Sequence, residues 1–288
     1  MMNDNLLNIV LAGSGYLGKS IIKMAINYTH ESIIEYSRTI KTDQNVKYIY
    51  KDFDKDAYNL DEVKENSSII YMAPPRQDRD NDIRLQNFLN KLSNRKIYKI
   101  TYISTSGVYG DHNDRLVNET SKLDPITDRA KRRLSAEKKI QEYCSLTSND
   151  FIILRVPGIY GPDRLPLDRI RNEEPILLEE QSKRTNLIHV EDLARISWEC
   201  LCSNIKNEIF NVSDGNPITI TRFYKEICDV LKLKMPPQIT MSEAEKCFSE
   251  KRLSFLRESR ILDVSKMEEC FPNHIKYKNI RKGIEASL

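Results

Sequence analysis

The chain has 288 residues, enough to bury a substantial core as one large α/β domain or as one such domain plus a lobe. Its 45 Lys and Arg against 42 Asp and Glu leave a net charge of +3, too small and too dispersed for a nucleic-acid binder. With no apolar run near the roughly 20 residues of a membrane helix, no signal-like leader, and six cysteines and four histidines without a C-x-x-C pair or ligand cluster, a reduced, cytoplasmic, metal-free chain is expected.

The apolar run Asn8 to Ala12 leads straight into Gly13-Ser14-Gly15-Tyr16-Leu17-Gly18, and then into Lys19 to Ala25. Leu17, Ile21 and Ala25 recur at helical spacing, so the stretch reads as a buried strand, a glycine turn and an amphipathic helix. In such a turn the first glycine permits a tight bend and the second lets backbone N–H groups approach a pyrophosphate. The third lets the helix pack close to the strand, with its positive end aimed at the phosphates. A dinucleotide cradle is therefore expected over Gly13, Ser14, Gly15, Tyr16, Leu17 and Gly18.

Short apolar runs then alternate with longer helical stretches, the pattern of a parallel sheet wrapped by helices. Strands are expected over Ser32 to Tyr36, Val46 to Tyr50 and Ser68 to Ala73, the last stopped by Pro74-Pro75. A helix through Ile83, Leu85, Phe88, Leu89 and Leu92 precedes a fifth strand, Lys99 to Ser104. A charged helix from about Asp128 to Tyr143 leads to a sixth, Asp150 to Arg155. From Pro217 onward a smaller, mostly helical lobe is expected. Ile220, Phe223, Tyr224, Ile227, Val230 and Leu231 fall at helical spacing before Met235-Pro236-Pro237, and Asn279 to Leu288 reads as a terminal helix. The fold expected is thus a doubly wound parallel Rossmann sheet over residues 1–160 and 185–215, with a substrate-side lobe over 161–184 and 216–288.

The end of the second strand chooses between cofactors: an acid there bonds the ribose hydroxyls of NAD, whereas an arginine accommodates the 2′-phosphate of NADP. Ser37 and Arg38 stand at that place, and Glu35 falls too early, inside the strand. NADP is the expectation, with NAD the alternative and a solvated loop arginine the bland reading of Arg38.

Several strings follow in order: Ala73-Pro74-Pro75, Ser104-Thr105-Ser106-Gly107-Val108-Tyr109-Gly110, Arg155-Val156-Pro157-Gly158-Ile159-Tyr160-Gly161-Pro162, Ile188-His189-Val190-Glu191-Asp192, and Phe210-Asn211-Val212-Ser213-Asp214. With the glycine turn they make the chain resemble the extended, atypical short-chain dehydrogenase/reductase superfamily, in its NAD-dependent epimerase/dehydratase group. The resemblance implies that Ala73, Pro74, Pro75 and Pro157 border a nicotinamide pocket. It also implies that Thr105 hydrogen-bonds the substrate oxygen, although a turn-forming hydroxyl is the alternative for that residue. A tyrosine and a lysine four residues later should complete the chemistry. Counting back from the Ala136-Glu137 pair, those positions hold Arg129 and Arg133, and none of the 14 tyrosines has a lysine four residues on. An arginine cannot exchange a proton near neutrality, so Arg129 cannot stand in for the phenol. Arg133 can still grip a ribose or phosphate. Tyr109 is the least poor substitute donor, with a packed tyrosine as the alternative.

On the substrate side Arg164, Arg169 and Arg171 cluster around a short helix expected from Leu165 to Arg171, suited to phosphate or carboxylate or else simply solvated. The family's arginine four residues before His189 is Thr185 here, which weakens a nucleotide-sugar assignment. His189 is expected to anchor backbone, and Arg260 matches a basic position that faces the cleft in relatives. Three readings stay open: an NAD(P)-dependent oxidoreductase or epimerase acting on a hydroxyl or carbonyl, a catalytically silent dinucleotide sensor, and an interaction module. The expected partner is a small molecule, with neither nucleic acid nor membrane. A homodimer through the helix of Arg129 and Arg133 follows from the resemblance.

Overall fold

The computed structural model describes residues 8–26, 33–39, 45–55, 57–77, 81–93 and 95–288. Ser32, expected to open the second strand, lies outside them. Seven strands form one sheet: β1 (Ile9–Ala12), β2 (Ile33–Ser37), β3 (Val46–Tyr50), β4 (Ser68–Tyr71), β5 (Lys99–Thr105), β6 (Asp150–Val156) and β7 (Glu208–Asn211). Their order is β7-β6-β5-β4-β1-β2-β3. The pairs β1–β2, β2–β3, β1–β4 and β4–β5 are all parallel. The chain winds outward from β1 through β2 to β3, then resumes on the other side at β4. A topological switch point therefore falls between β1 and β4, where open sheets of this kind bind ligands.

β1, β2 and β4 are buried along their whole length, which is why they are mostly apolar and do not alternate, Glu35 and the strand-end serines Ser37 and Ser68 being buried as well. One packed cluster joins Val10, Ala12, Ile34, Ile69, Tyr71 and Tyr102 of the sheet to two helices. These are α2 (Ile83–Leu92), through Leu85, Phe88, Leu89 and Leu92, and α3 (Asp128–Thr147), through Ala136, Ile140 and Cys144. Asp82 starts α2 by accepting the Leu85 N–H at 3.0 Å. The glycine turn differs from expectation in one respect. The first helix, α1 (Tyr16–Ala25), begins before the third glycine, so Gly18 lies inside its first turn.

The chain divides into two compact units. The first comprises Met1–Val108, Asp128–Arg155 and Leu193–Phe210; the second comprises Tyr109–Thr127, Val156–Asp192 and Asn211–Leu288. In the second unit, α4 (Leu167–Arg171) is two residues shorter at its start than expected. Next comes α5 (Val190–Cys202), which crosses from the second unit into the first. Then α6 (Ile220–Leu231) packs Phe223, Tyr224 and Ile227 against Tyr160, Ile176, Leu187 and Ile284. Four two- or three-residue strand pairs lace the segments of this unit together, among them Gly158–Tyr160 with Leu187–His189. α7 (Met241–Cys247) carries a capping box between Thr240 and Glu243, and α8 (Glu250–Arg257) follows after Ser249. Among the described residues no helix is long and apolar enough to cross a membrane.

Candidate functional site

The glycine turn takes its shape from contacts on both sides. Gly13 has φ +76°, a left-handed conformation that a side chain rarely adopts, and a Cβ there would lie 2.4 Å from the Cβ of Ala73. The turns that follow β1 and β4 thus touch at the switch point. A Cβ on Gly18 would sit 1.8 Å from the Ser14 Oγ, so the third glycine makes room for the serine of the turn. Sequence reasoning assigned that space to the approach of strand and helix. Gly15 is different: beyond its chain neighbours nothing among the described residues lies within 4 Å of its absent side chain, so the space there is open. The α1 N-terminus has no side-chain cap and no acid in its first turn. The Ser14 hydroxyl is buried without a hydrogen-bond partner among the described residues.

Beside this turn a cavity of about 210 Å³ is lined by Gly13, Ser14, Gly15, Arg38, Ala73 and Pro74, six residues that sequence reasoning brought to the site. It is also lined by Ser37, which stands with Arg38 at the end of the second strand, and by Tyr36, Lys51, Asp52, Phe53 and Arg84, which that reasoning did not place there. The loop after β3 and the first turn of α2 supply most of these, and no local spacing signals them. Tyr16, Leu17, Gly18, Pro75 and Arg133 do not line it, and Leu17 is buried in the core. Glu35 lies mid-strand and fully buried, so Ser37 and the exposed Arg38 hold the end of β2. Arg84 donates from Nε and Nη2 to the two oxygens of Asp54, each at 2.6 Å, and from Nη1 to the Pro74 carbonyl at 2.7 Å. That fork holds the Asp54 carboxyl below the usual carboxylate range, with Arg76 and Arg38 adding to it.

Thr105 ends β5, half-buried, and its Oγ1 accepts the Gly107 N–H at 3.2 Å. The hydroxyl proton stays free for another acceptor. Arg133 on α3 donates from Nη1 to the Tyr102 hydroxyl and to the Ile103 carbonyl, both at 3.0 Å. Burial works against its charge, but Tyr102 and Asp82 hold it above the usual arginine value. Burial pushes the Tyr102 phenol up to about 12. Behind Thr105 stands a network not anticipated from spacing: Ser104 Oγ donates to Glu137 Oε1 at 2.5 Å, and Arg155 Nη2 donates to Glu137 Oε2 at 2.9 Å.

The second unit contains its own cavity, about 430 Å³, with Arg164, Arg169, Lys251 and Arg252 among apolar and aromatic walls. Arg252 stacks 3.6 Å above the Phe248 ring and donates to the Pro175 carbonyl at 2.6 Å. Arg171 does not line it. Pro157 also belongs to this unit. Arg260 is not free to face a cleft: it donates to the Gly110 carbonyl and lies 3.1 Å from Glu258. His189 is fully buried and accepts the Glu191 N–H at Nδ1, so it does anchor backbone.

Residues 9–213 match the model of the NAD dependent epimerase/dehydratase family. The chain belongs to that family. A putative UDP-glucose 4-epimerase of Methanocaldococcus jannaschii is 25% identical over 252 residues, covering 78% of this chain and 81% of the relative. Human dTDP-D-glucose 4,6-dehydratase is 20% identical, covering 78% and 73%. Among solved structures, a conserved protein of unknown function from Silicibacter pomeroyi superposes with a TM-score of 0.81 at 24% identity over 97% of each chain. MoeE5 in complex with UDP-glucose and NAD gives 0.79 at 15% identity over 97% and 96%.

At the two positions expected to hold a proton-transfer pair the chain carries Arg129 and Arg133. Arg129 is exposed on α3, and Arg133 turns its Nη1 toward β5. Tyr109 does not replace the missing phenol, because its ring is fully buried and its hydroxyl donates to Asn211 Oδ1 at 2.7 Å. Tyr160 is equally buried, and its hydroxyl fills the space where Gly283 lacks a side chain.

Proposed function

We propose that this epimerase/dehydratase family member binds a nicotinamide dinucleotide in the first-unit cavity, with NADP preferred over NAD, and acts on a hydroxyl or carbonyl of a small anionic substrate of the sugar-nucleotide class. The observation that carries the reading is the turn itself. Open space at Gly15, an uncapped helix start and the unpartnered Ser14 hydroxyl together fit a pyrophosphate. Arg38, with no acid at the end of β2, supports the 2′-phosphate form. The names of the relatives, and the four basic side chains of the second-unit cavity, support a substrate carrying phosphate or carboxylate groups.

When bound, the nicotinamide supplies a hydride acceptor or donor. The protein's own part is to orient and polarise. Thr105, its oxygen fixed by the Gly107 N–H, donates its proton in a hydrogen bond to the substrate oxygen. Arg133, held on Tyr102 and Ile103 through Nη1, offers Nε and Nη2 to a ribose or phosphate. Neither Arg133 nor Tyr102 exchanges a proton near neutrality, so the reaction proceeds without the family's tyrosine–lysine pair.

A thermal-shift titration with NAD(H) and NADP(H) tests the reading. A ligand at 100 times its Kd adds about 2.7 kcal/mol of stability, and NADP(H) should act at lower concentration than NAD(H). Arg38→Ala should erase that difference. No shift with any of the four dinucleotides overturns the proposal. Cofactor oxidation across aldehydes and nucleotide sugars that persists undiminished in Thr105→Ala removes Thr105 from the mechanism.

A further inference from the structure

The first-unit cavity holds three cations, Arg38, Lys51 and Arg84, whose charges are not equally available. Lys51 lies 3.5 Å from Glu62 and donates to Asn59. Arg84 spends Nε and Nη2 on Asp54 and Nη1 on the Pro74 carbonyl. Arg38 is exposed and makes no ion pair among the described residues, although its charge is felt at Asp54. Asp52 is the acid of the cavity lining. Asp54, just outside that lining, stands within electrostatic reach of Arg38, the one lining cation without an ion pair among the described residues. The Arg84 fork from α2 and, at 3.9 Å, Arg76 balance Asp54.

The geometry points to Asp54 and Arg84 as a matched charge pair that sets how strongly this cavity takes an adenosine ribose carrying a 2′-phosphate rather than a bare 2′-hydroxyl. The inference rests on the dinucleotide reading above. A phosphate monoester carries between one and two negative charges near pH 7. Asp54 repels it, Arg84 offsets that repulsion, and the wild-type balance leaves selection to Arg38. Both residues are specificity determinants, and a change at either should move the 2′-phosphate form while leaving the 2′-hydroxyl form nearly untouched.

The two substitutions therefore act with opposite sign. Asp54→Asn releases the Arg84 fork toward the cavity and should tighten NADP+ about five- to tenfold, with NAD+ within about twofold. Arg84→Gln removes the bidentate partner of Asp54, leaving the looser Arg76 pair at 3.9 Å, and should weaken NADP+ by up to about tenfold, again sparing NAD+. The double variant Asp54→Asn with Arg84→Gln removes both charges and should return the NADP+/NAD+ ratio toward that of the wild type.

Dissociation constants of the full chain for NADP+, NAD+, 2′,5′-ADP and 5′-ADP, read by calorimetry at two salt concentrations, make the test. The two ADP isomers isolate the adenosine end, and thermal melting checks that each variant folds. A merely structural role predicts that both single variants weaken all four ligands in parallel, and that result overturns the inference. So does an unchanged ratio in both. If the wild type binds neither dinucleotide, the earlier reading fails and this one falls with it. If NADP+ is preferred through Arg38 but the ratio ignores both variants, only this inference fails.

Discussion

Two buried carboxyls, one in each unit, meet the same problem in different ways. Glu137 on α3 is 1% exposed, and it receives the Ser104 hydroxyl at 2.5 Å and the Arg155 guanidinium at 2.9 Å. Asp214, in the turn after β7, is 2% exposed, and its side chain accepts the Asn216 N–H at 2.9 Å with no cation offsetting its burial. Burial pushes its carboxyl up to about 7. Desolvation alone drives a carboxyl toward its neutral form, whereas a hydrogen-bonded opposite charge makes the ionised form tolerable. Glu137 is bound into a fixed network beside Thr105. Asp214 is left able to change charge near neutrality.

The largest expected effect comes from breaking the paired case. Glu137→Ala leaves Arg155, whose side chain is only 3% exposed, without its counter-charge, and should cost about 3–5 kcal/mol. Urea unfolding followed through Trp198, the only tryptophan and a buried residue of the first unit, reads that loss. Replacing both partners with apolar residues, Glu137→Leu with Arg155→Met, should recover most of it, because no orphaned charge remains. A single variant within about 0.5 kcal/mol of wild type, the ordinary range for surface changes, would remove the distinction between the two acids.

Much of the first unit was legible because its signals are local. β4, β5 and β6 start where the sequence places them and β1 one residue later, since a strand buried on both faces is predominantly apolar. The glycine turn was legible because backbone geometry admits few residues there. β7 was missed as a strand, although Phe210 and Asn211 were noted, because four residues opening on Glu208 give no period to read. The Arg84–Asp54 fork and the arrival of Lys251 and Arg252 beside Arg164 and Arg169 in the second-unit cavity were missed for another reason. Their partners stand tens of residues apart and meet only through the tertiary fold. The arginines at 129 and 133 were visible, whereas the hold of Tyr102 on Arg133 was not, since a tyrosine in a strand reads only as core.

The unpaired acid gives the next effect. Asp214 has its folded value, about 7, above the ordinary 3.8, so between those limits the folded chain binds the proton that the unfolded chain has released. Stability therefore falls as pH rises from about 4 to about 7 and is flat on either side, with a slope of at most about 1.4 kcal/mol per pH unit. Asp214→Asn keeps an acceptor for the Asn216 N–H and should remove this slope, making the variant the more stable protein at pH 8. Thermal melting from pH 4 to 8 compares the two curves. If they run parallel, Asp214 is as well solvated or as well paired as Glu137 is, and the contrast between the units fails.

The smallest effect tests whether a buried cation in the first unit behaves like its paired acid or like Asp214. Lys99 is fully buried at the start of β5 and donates to the carbonyls of Cys200 and Ser203 at the end of α5, at 2.9 and 2.7 Å. Those carbonyls carry the negative end of the helix, but they are not a counter-ion, and burial lowers the ammonium from 10.5 to about 8. Between those values the unfolded chain holds a proton that the folded chain has lost, so stability rises with pH from about 8 to about 10.5. That is the opposite slope to that of Asp214, in the opposite range. Other groups titrate there too; burial pushes the Cys202 thiol up to about 12, which pulls stability down as pH rises. Subtracting the curve of Lys99→Met from that of the wild type cancels such shared contributions and leaves the lysine. A difference that grows with pH across the window marks an ammonium whose charge is penalised by burial because it has no counter-ion. A constant difference means that the helix end alone holds Lys99 charged, and that a row of carbonyls serves this unit as well as Arg155 serves Glu137.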